Sequence, residues 1–176
     1  IIPARSGSKG LINKNIKSFH GHPLLAFSIA AGIQTNEINR TICSTDCPKI
    51  AQIAKQYNAE IPFLRPKELA QDTSSTEDVM IHALDWYNHN GSKPGIIILL
   101  QPTSPFRQLK DINNAIEKLS MQTDMVVSVK ETKANPYFTL YEENDSGFLE
   151  KSKKSNCDRS QDSPKAWEFN GSIYVI

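Results

Sequence analysis

A chain of 176 residues and 19.7 kDa, 39% of them apolar, is long enough for one full-sized domain with a real core. Its 20 Lys and Arg against 19 Asp and Glu leave a formal charge of +1, which excludes the broad basic footprint of a nucleic-acid or anionic-membrane binder, so any anion is bound locally. No apolar run approaches the roughly 20 residues that span a bilayer, no signal-peptide pattern opens the chain, and three cysteines without a C-x-x-C pair argue against a disulfide framework or a zinc site, so the expectation is a cytoplasmic protein.

Short apolar runs alternate with segments of helical period, which predicts α/β architecture with a doubly wound, mostly parallel sheet. Ile1-Ile2 reads as a first strand entering a loop at 4–15 that carries Gly7 and Gly10 among Arg5, Ser6, Ser8, Lys9 and Lys14. Residues 23–35 place Leu25, Ile29 and Ile33 on one helical face. A strand at 41–44 follows, with Asp46 as N-cap of a helix bearing Ile50, Ile53, Ala54 and Tyr57. Ser74 and Glu77 read as a capping box for the helix of Val79, Met80, Ala83, Leu84 and Tyr87. The run 95–100 predicts a central strand buried on both faces, then a helix with Ile112, Ala115, Ile116 and Leu119 inward, then a strand at 125–129. Residues 130–163 turn polar and charged with scattered aromatics, and a last strand at 172–176 follows Asn170-Gly171, which is either a hairpin turn or a close approach of backbone to a ligand. The expected organisation is a core of 1–129 and 164–176 with an excursion at 130–163, within a piece of a longer polypeptide, since the chain starts and stops inside strands.

Ligands of such sheets sit outside the carboxyl ends of the strands, here the loops after Pro3, Ser44 and Leu100. The first is neither a Walker A nor a G-x-G-x-x-G loop, yet its glycines, Ser8, Arg5, Lys9 and Lys14 suit polyphosphate; the plain alternative is a solvated loop. Arg65 stands before Pro66, which favours extended backbone, and either faces a ligand or makes a surface ion pair. The stiff turn Gln101-Pro102-Thr103-Ser104-Pro105 leaves Gln101, Thr103 and Ser104 for ordered hydrogen bonds.

Seven segments taken together, IIPARSGSKG, NKN at 13–15, STD at 44–46, FLRPKELAQDTSS at 63–75, LLQPTSPFR at 99–107, RSQD at 159–162 and NGSIY at 170–174, resemble the acylneuraminate cytidylyltransferases, that is the CMP-sialic acid synthetases with their legionaminic- and pseudaminic-type relatives. The resemblance runs colinearly over the whole chain. It implies a Rossmann-like, magnesium-dependent nucleotidyltransferase that joins CTP to a nine-carbon keto-acid sugar and releases pyrophosphate, working as a homodimer in which 130–163 reaches the second subunit. It implies that Arg5, Ser8, Lys9 and Lys14 hold the CTP phosphates, with Arg5 and Lys14 catalytic, and that Asn15, Arg65 and Ser75 surround the cytidine. Gln101, Arg159, Gln161, Asn170 and Tyr174 match sugar-side positions, and the acidic Mg2+ ligands fall in a D-x-D segment beyond Ile176, so Asp46 stays an N-cap. Two departures, Ser160 where relatives carry a second basic residue and Phe138 where one follows the N-P-Y-like segment, point away from the commonest sialic acid and leave open whether Arg159 holds the sugar carboxylate. The alternatives are cytidylyl transfer to the eight-carbon acid Kdo and a non-catalytic module that binds CTP or a CMP-sugar.

Overall fold

The computed structural model describes residues 1–7, 10–157 and 159–176. They form two compact units, Ile1–Ser128 with Gly171–Ile176, and Val129–Asn170. The first unit opens with β1 (Ile2–Pro3), a 3-10 turn at Lys14–Ile16, and a ribbon of β2 (Ser18–Phe19) and β3 (His22–Pro23). Then α1 (Leu24–Gln34), β4 (Cys43–Ser44), α2 (Pro48–Gln56), α3 (Thr76–His89), β5 (Ile98–Leu100), α4 (Leu109–Glu117) and β6 (Val126–Glu131) alternate as the apolar periodicity predicts. Further along lie β7 (Tyr141–Glu143), β8 (Leu149–Lys151) and β9 (Trp167–Val175).

β1 runs parallel to β4, Ile2 opposite Cys43 and Pro3 opposite Ser44. On its other side Ile1 N donates to the Ile98 carbonyl at 2.6 Å and Leu100 N donates to the Ile1 carbonyl at 3.0 Å, the offset pattern of a parallel pair. β1 therefore lies between β4 and β5, with all three carboxyl ends on one edge. β9 breaks the parallel run: it pairs antiparallel with β5, Ile98 facing Val175 and Leu100 facing Ile173, in the order β5-β9-β6. The core is what this arrangement encloses, with Ile2, Leu25, Ile29, Leu100, Ile112 and Val175 fully buried. Burying each such side chain contributes about 1.5–3 kcal/mol. Cys43 belongs to the same core, and burial pushes its thiol up to about 12, which makes it unreactive packing.

Four local expectations change. In α1 the buried face is Leu25, Ala26, Ser28, Ile29, Ala31 and Gly32, while Ile33 is 47% exposed. Ile33 is the penultimate residue of the helix, which ends at Gln34. Asp46 does not cap α2: Cys47 holds that position without a side-chain bond, Pro48 starts the helix, and the Asp46 carboxylate is taken by Ser6. The capping box of α3 is Ser75 with Asp78, one residue beyond Ser74 and Glu77. Ser74 instead closes the preceding turn, its Oγ accepting from Gln71 N at 3.1 Å and donating to the Glu68 carbonyl at 2.9 Å. Finally, Asn170-Gly171 lies inside β9 rather than in a hairpin turn. Gly171 adopts φ +70°, a left-handed backbone that glycine takes without strain, and an added Cβ would meet none of the described residues within 4 Å.

The second unit contains structure that its polar composition did not announce. β7 and β8 form an antiparallel hairpin, Tyr141 opposite Lys151 and Glu143 opposite Leu149. Its turn is held by Asn144, whose Oδ1 accepts from Ser146 N and Phe148 N, both at 3.0 Å. Asn135 ties the unit together by donating from Nδ2 to the Pro164 carbonyl at 2.8 Å and to Ser163 Oγ at 3.2 Å.

Candidate active site

The loops leaving β1 and β5, the Arg65 segment and the start of α3 enclose a cavity of about 320 Å³ in the first unit. Arg5, Lys14, Asn15, Arg65, Ser75 and Gln101 all line it, together with Gly10, Thr76 and Thr103. Six residues expected at a nucleotide and sugar site thus come together from separated parts of the chain. Ser8 and Lys9 lie outside the described residues. Tyr174 sits opposite Leu99 on β9 and does not line the cavity, and Arg159, Gln161 and Asn170 belong to the second unit. There Arg159 is paired with Asp162, Nε donating at 2.7 Å, and Gln161 is exposed in the 3-10 turn Ser160–Asp162.

Three cations and, among the described residues, no carboxylate line the cavity, so its field favours an anion. Ser75 and Thr76 bring the amino end of a 14-residue helix to the same wall, and its dipole adds to that field. The glycine loop is fixed at both margins. Asp46 accepts from Ser6 N at 2.8 Å and from Ser6 Oγ, while the buried Asn15 donates from Nδ2 to the Arg5 carbonyl at 2.9 Å. Burial alone would raise the Asp46 carboxyl, but the Ser6 hydrogen bonds and the Arg65 charge outweigh it and hold the group below the usual carboxylate range. Between these anchors Gly7 takes φ +69°, a left-handed backbone that glycine adopts without strain.

The cations differ in how they are held. Arg5 crosses to the segment before α3, where its guanidinium pairs with Asp72 and donates to the Ala70 carbonyl at 3.2 Å. Arg65 is 4% exposed and spends two nitrogens on backbone, donating to the Ser44 carbonyl at 2.6 Å and to that of Leu69 at 3.2 Å. Among the described residues its Nε is buried and has no hydrogen-bond partner. Desolvation lowers its pKa, with Asp46 opposing that effect from nearby. Lys14, by contrast, has no ion pair among the described residues.

No group of three His, Cys, Asp or Glu among the described residues is placed to hold a metal, so these residues do not by themselves fit a magnesium site. No helix among them is long and apolar enough to cross a membrane. Residue-level reading missed Asp46 and Asp72 as anchors, and it missed the Ser28–Arg107 contact behind the cavity wall. Ser28 did carry a signal, as the single hydroxyl in LLAFSIAAGIQ.

Comparison with known proteins agrees with this geometry. The CMP-N,N'-diacetyllegionaminic acid synthase of Legionella pneumophila is 33% identical over 175 residues, covering 99% of this chain and 75% of the relative. The pseudaminic acid cytidylyltransferase of Campylobacter jejuni is 31% identical over 178 residues, again covering 99% of this chain and 75% of the relative. Among solved structures, CMP:2-keto-3-deoxy-manno-octonic acid synthetase complexed with CTP superposes with a TM-score of 0.73 at 17% identity, covering 99% of this chain and 71% of that one, which establishes a shared α/β fold. A family model described as cytidylyltransferase matches residues 1–162, nearly the whole chain. With a cationic cavity at the carboxyl ends of its parallel strands and that match across both units, the chain belongs to the cytidylyltransferase family.

Proposed function

We propose that the protein joins CTP to a nonulosonic acid, giving the CMP-sugar and pyrophosphate. The observation that carries this reading is the cavity at the carboxyl ends of β1 and β5, with its three cations, no lining carboxylate among the described residues, and a helix amino end. In the reaction the acceptor's anomeric hydroxyl attacks the α-phosphorus, a new P–O bond forms, the bond to the bridging oxygen breaks, and pyrophosphate leaves with that electron pair. Lys14, unpaired among the described residues, stabilises charge at the α-phosphate, while Arg5, Ser8 and Lys9 hold the remaining phosphates. Asn15, Arg65 and Ser75 surround the cytidine. Gln101, Arg159, Gln161, Asn170 and Tyr174 serve the sugar. The parallel order β4-β1-β5 supports a doubly wound sheet, and Mg2+ would be held by acidic residues outside those described, where it would help neutralise the triphosphate. The cytoplasm, where CTP is available, is the compartment this reading proposes.

A nonulosonic acceptor is favoured over Kdo because relatives named for legionaminic and pseudaminic acid match 99% of the chain at 31–33% identity, whereas the octonic-acid enzyme shares the fold at 17%. The test is pyrophosphate release by the full-length protein with CTP and magnesium, against N-acetylneuraminic, legionaminic, pseudaminic and Kdo acids. Release with one of the first three is expected. Release with Kdo alone moves the acceptor to the eight-carbon acid, and silence with all four while CTP binds makes the protein a nucleotide-binding module.

A further inference from the structure

The wall of the cavity at residues 101–103 follows the central strand, and the groups behind it converge on one backbone position. The Gln101 carbonyl accepts from Arg107 Nη2 at 2.9 Å, from Ser28 Oγ at 3.1 Å and from Ser104 N at 3.3 Å. The same guanidinium donates from Nη2 to the Ser172 carbonyl at 2.8 Å, from Nε to Ser172 Oγ at 3.1 Å, and from Nη1 to Ser28 Oγ at 3.1 Å. Gln101 N in turn donates to the Ser172 carbonyl at 3.3 Å. One side chain therefore joins the turn after β5 to the middle of α1 and to β9. Among the described residues no carboxylate pairs with Arg107, and desolvation pulls its pKa down to about 10, leaving it charged at neutral pH. A half-buried cation without a counter-ion, satisfied by neutral oxygens on three elements, is held for its geometry, because a hydrophobic side chain would fill the space without the desolvation cost.

We propose that Arg107 is a positioning residue that sets the 101–103 wall against which the acceptor acid is aligned. This rests on the assignment of Gln101 to the sugar side of the proposed reaction. The guanidinium is suited to the task because its planar fork reaches two hydroxyls and two carbonyls at once; an ammonium keeps the charge but has one nitrogen and cannot span them. Arg107 does not line the cavity, so its influence reaches the substrate through the Gln101 backbone, held directly and by way of Ser28 and Ser172. Displacing an aligned group by about 1 Å costs on the order of 10²-fold in rate.

The experiment compares full-length wild type with Arg107→Lys and with Ser28→Ala, a milder change that leaves the cation's bonds to Ser172 and Gln101 in place. Amide hydrogen exchange is read over 101–104 and over α3, and KM is measured separately for CTP and for the acceptor acid. The expected result for Arg107→Lys is exchange at 101–104 faster by about 10-fold or more with α3 unchanged, and an acceptor KM raised about 10- to 100-fold while that for CTP stays within about threefold. Ser28→Ala should move the same quantities in the same direction by less. Unchanged exchange at 101–104, equal acceleration in α3, or an acceptor KM that stays constant or moves together with that for CTP would overturn the proposal. If wild type turns over no acid at all, the proposed reaction fails, and the exchange measurement still decides whether Arg107 orders this wall.

Discussion

At the scale of single residues, the cations of the cavity wall divide by what holds them. Lys14 has no ion pair among the described residues, so its charge is available to a ligand without first breaking a contact. Lys14→Ala should lower turnover about 10²-fold or more, the scale of losing one preorganised charge stabiliser, and steady-state pyrophosphate release reads it. Arg5 behaves otherwise. Its guanidinium pairs with Asp72, whose side chain is 34% exposed, so a triphosphate must compete with a carboxylate for it. Exposed pairs of this kind are worth about 0–1 kcal/mol, which caps the competition at roughly fivefold. Asp72→Asn is therefore expected to tighten CTP binding in calorimetry by up to about fivefold. Weaker binding would instead make Asp72 a support that orients Arg5.

At the scale of elements, the seating of α1 against Thr41, which precedes β4, depends on a missing side chain. A Cβ on Gly32 would stand 2.8 Å from Thr41 Oγ1 and 2.9 Å from its Cγ2, and Thr41 is itself buried and stiff at χ1. Alanine in mid-helix gains about 1 kcal/mol in propensity over glycine, whereas overpacking costs about 1–3 kcal/mol. The clash wins, and Gly32→Ala should lower Tm by about 2–4 °C, measured by thermal melting. An unchanged or raised Tm would show that Thr41 rotates away at little cost.

At the scale of the whole molecule, the second unit exposes Phe148 at 70%, Leu149 at 70%, Phe169 at 65% and Trp167 at 57%. Large apolar side chains this exposed are what a partner surface would cover. Covering them with a second copy is the reading consistent with the proposed enzyme, and light scattering of the full-length protein at working concentration should give twice the monomer mass. A monomer would overturn the expected homodimer and leave the sugar-side roles of Arg159 and Gln161 to be explained within one chain.

The order of strands and helices was legible in the sequence because burial imposes a period, two for a strand and 3.6 for a helix, and because glycine and charge collect where strands end. Contacts between distant residues were not legible, since no local pattern encodes a partner. Ser6 is anchored by Asp46, 40 residues on; Arg5 by Asp72, 67 residues on; Ser28 by Arg107, 79 residues on. The antiparallel sense of β9 belongs with these, because apolar period is the same in either direction. Composition and periodicity determined the α/β class and a cationic loop after the first strand. Which side chains hold that loop and the facing wall in place was decided only when folding brought separated segments within hydrogen-bond distance.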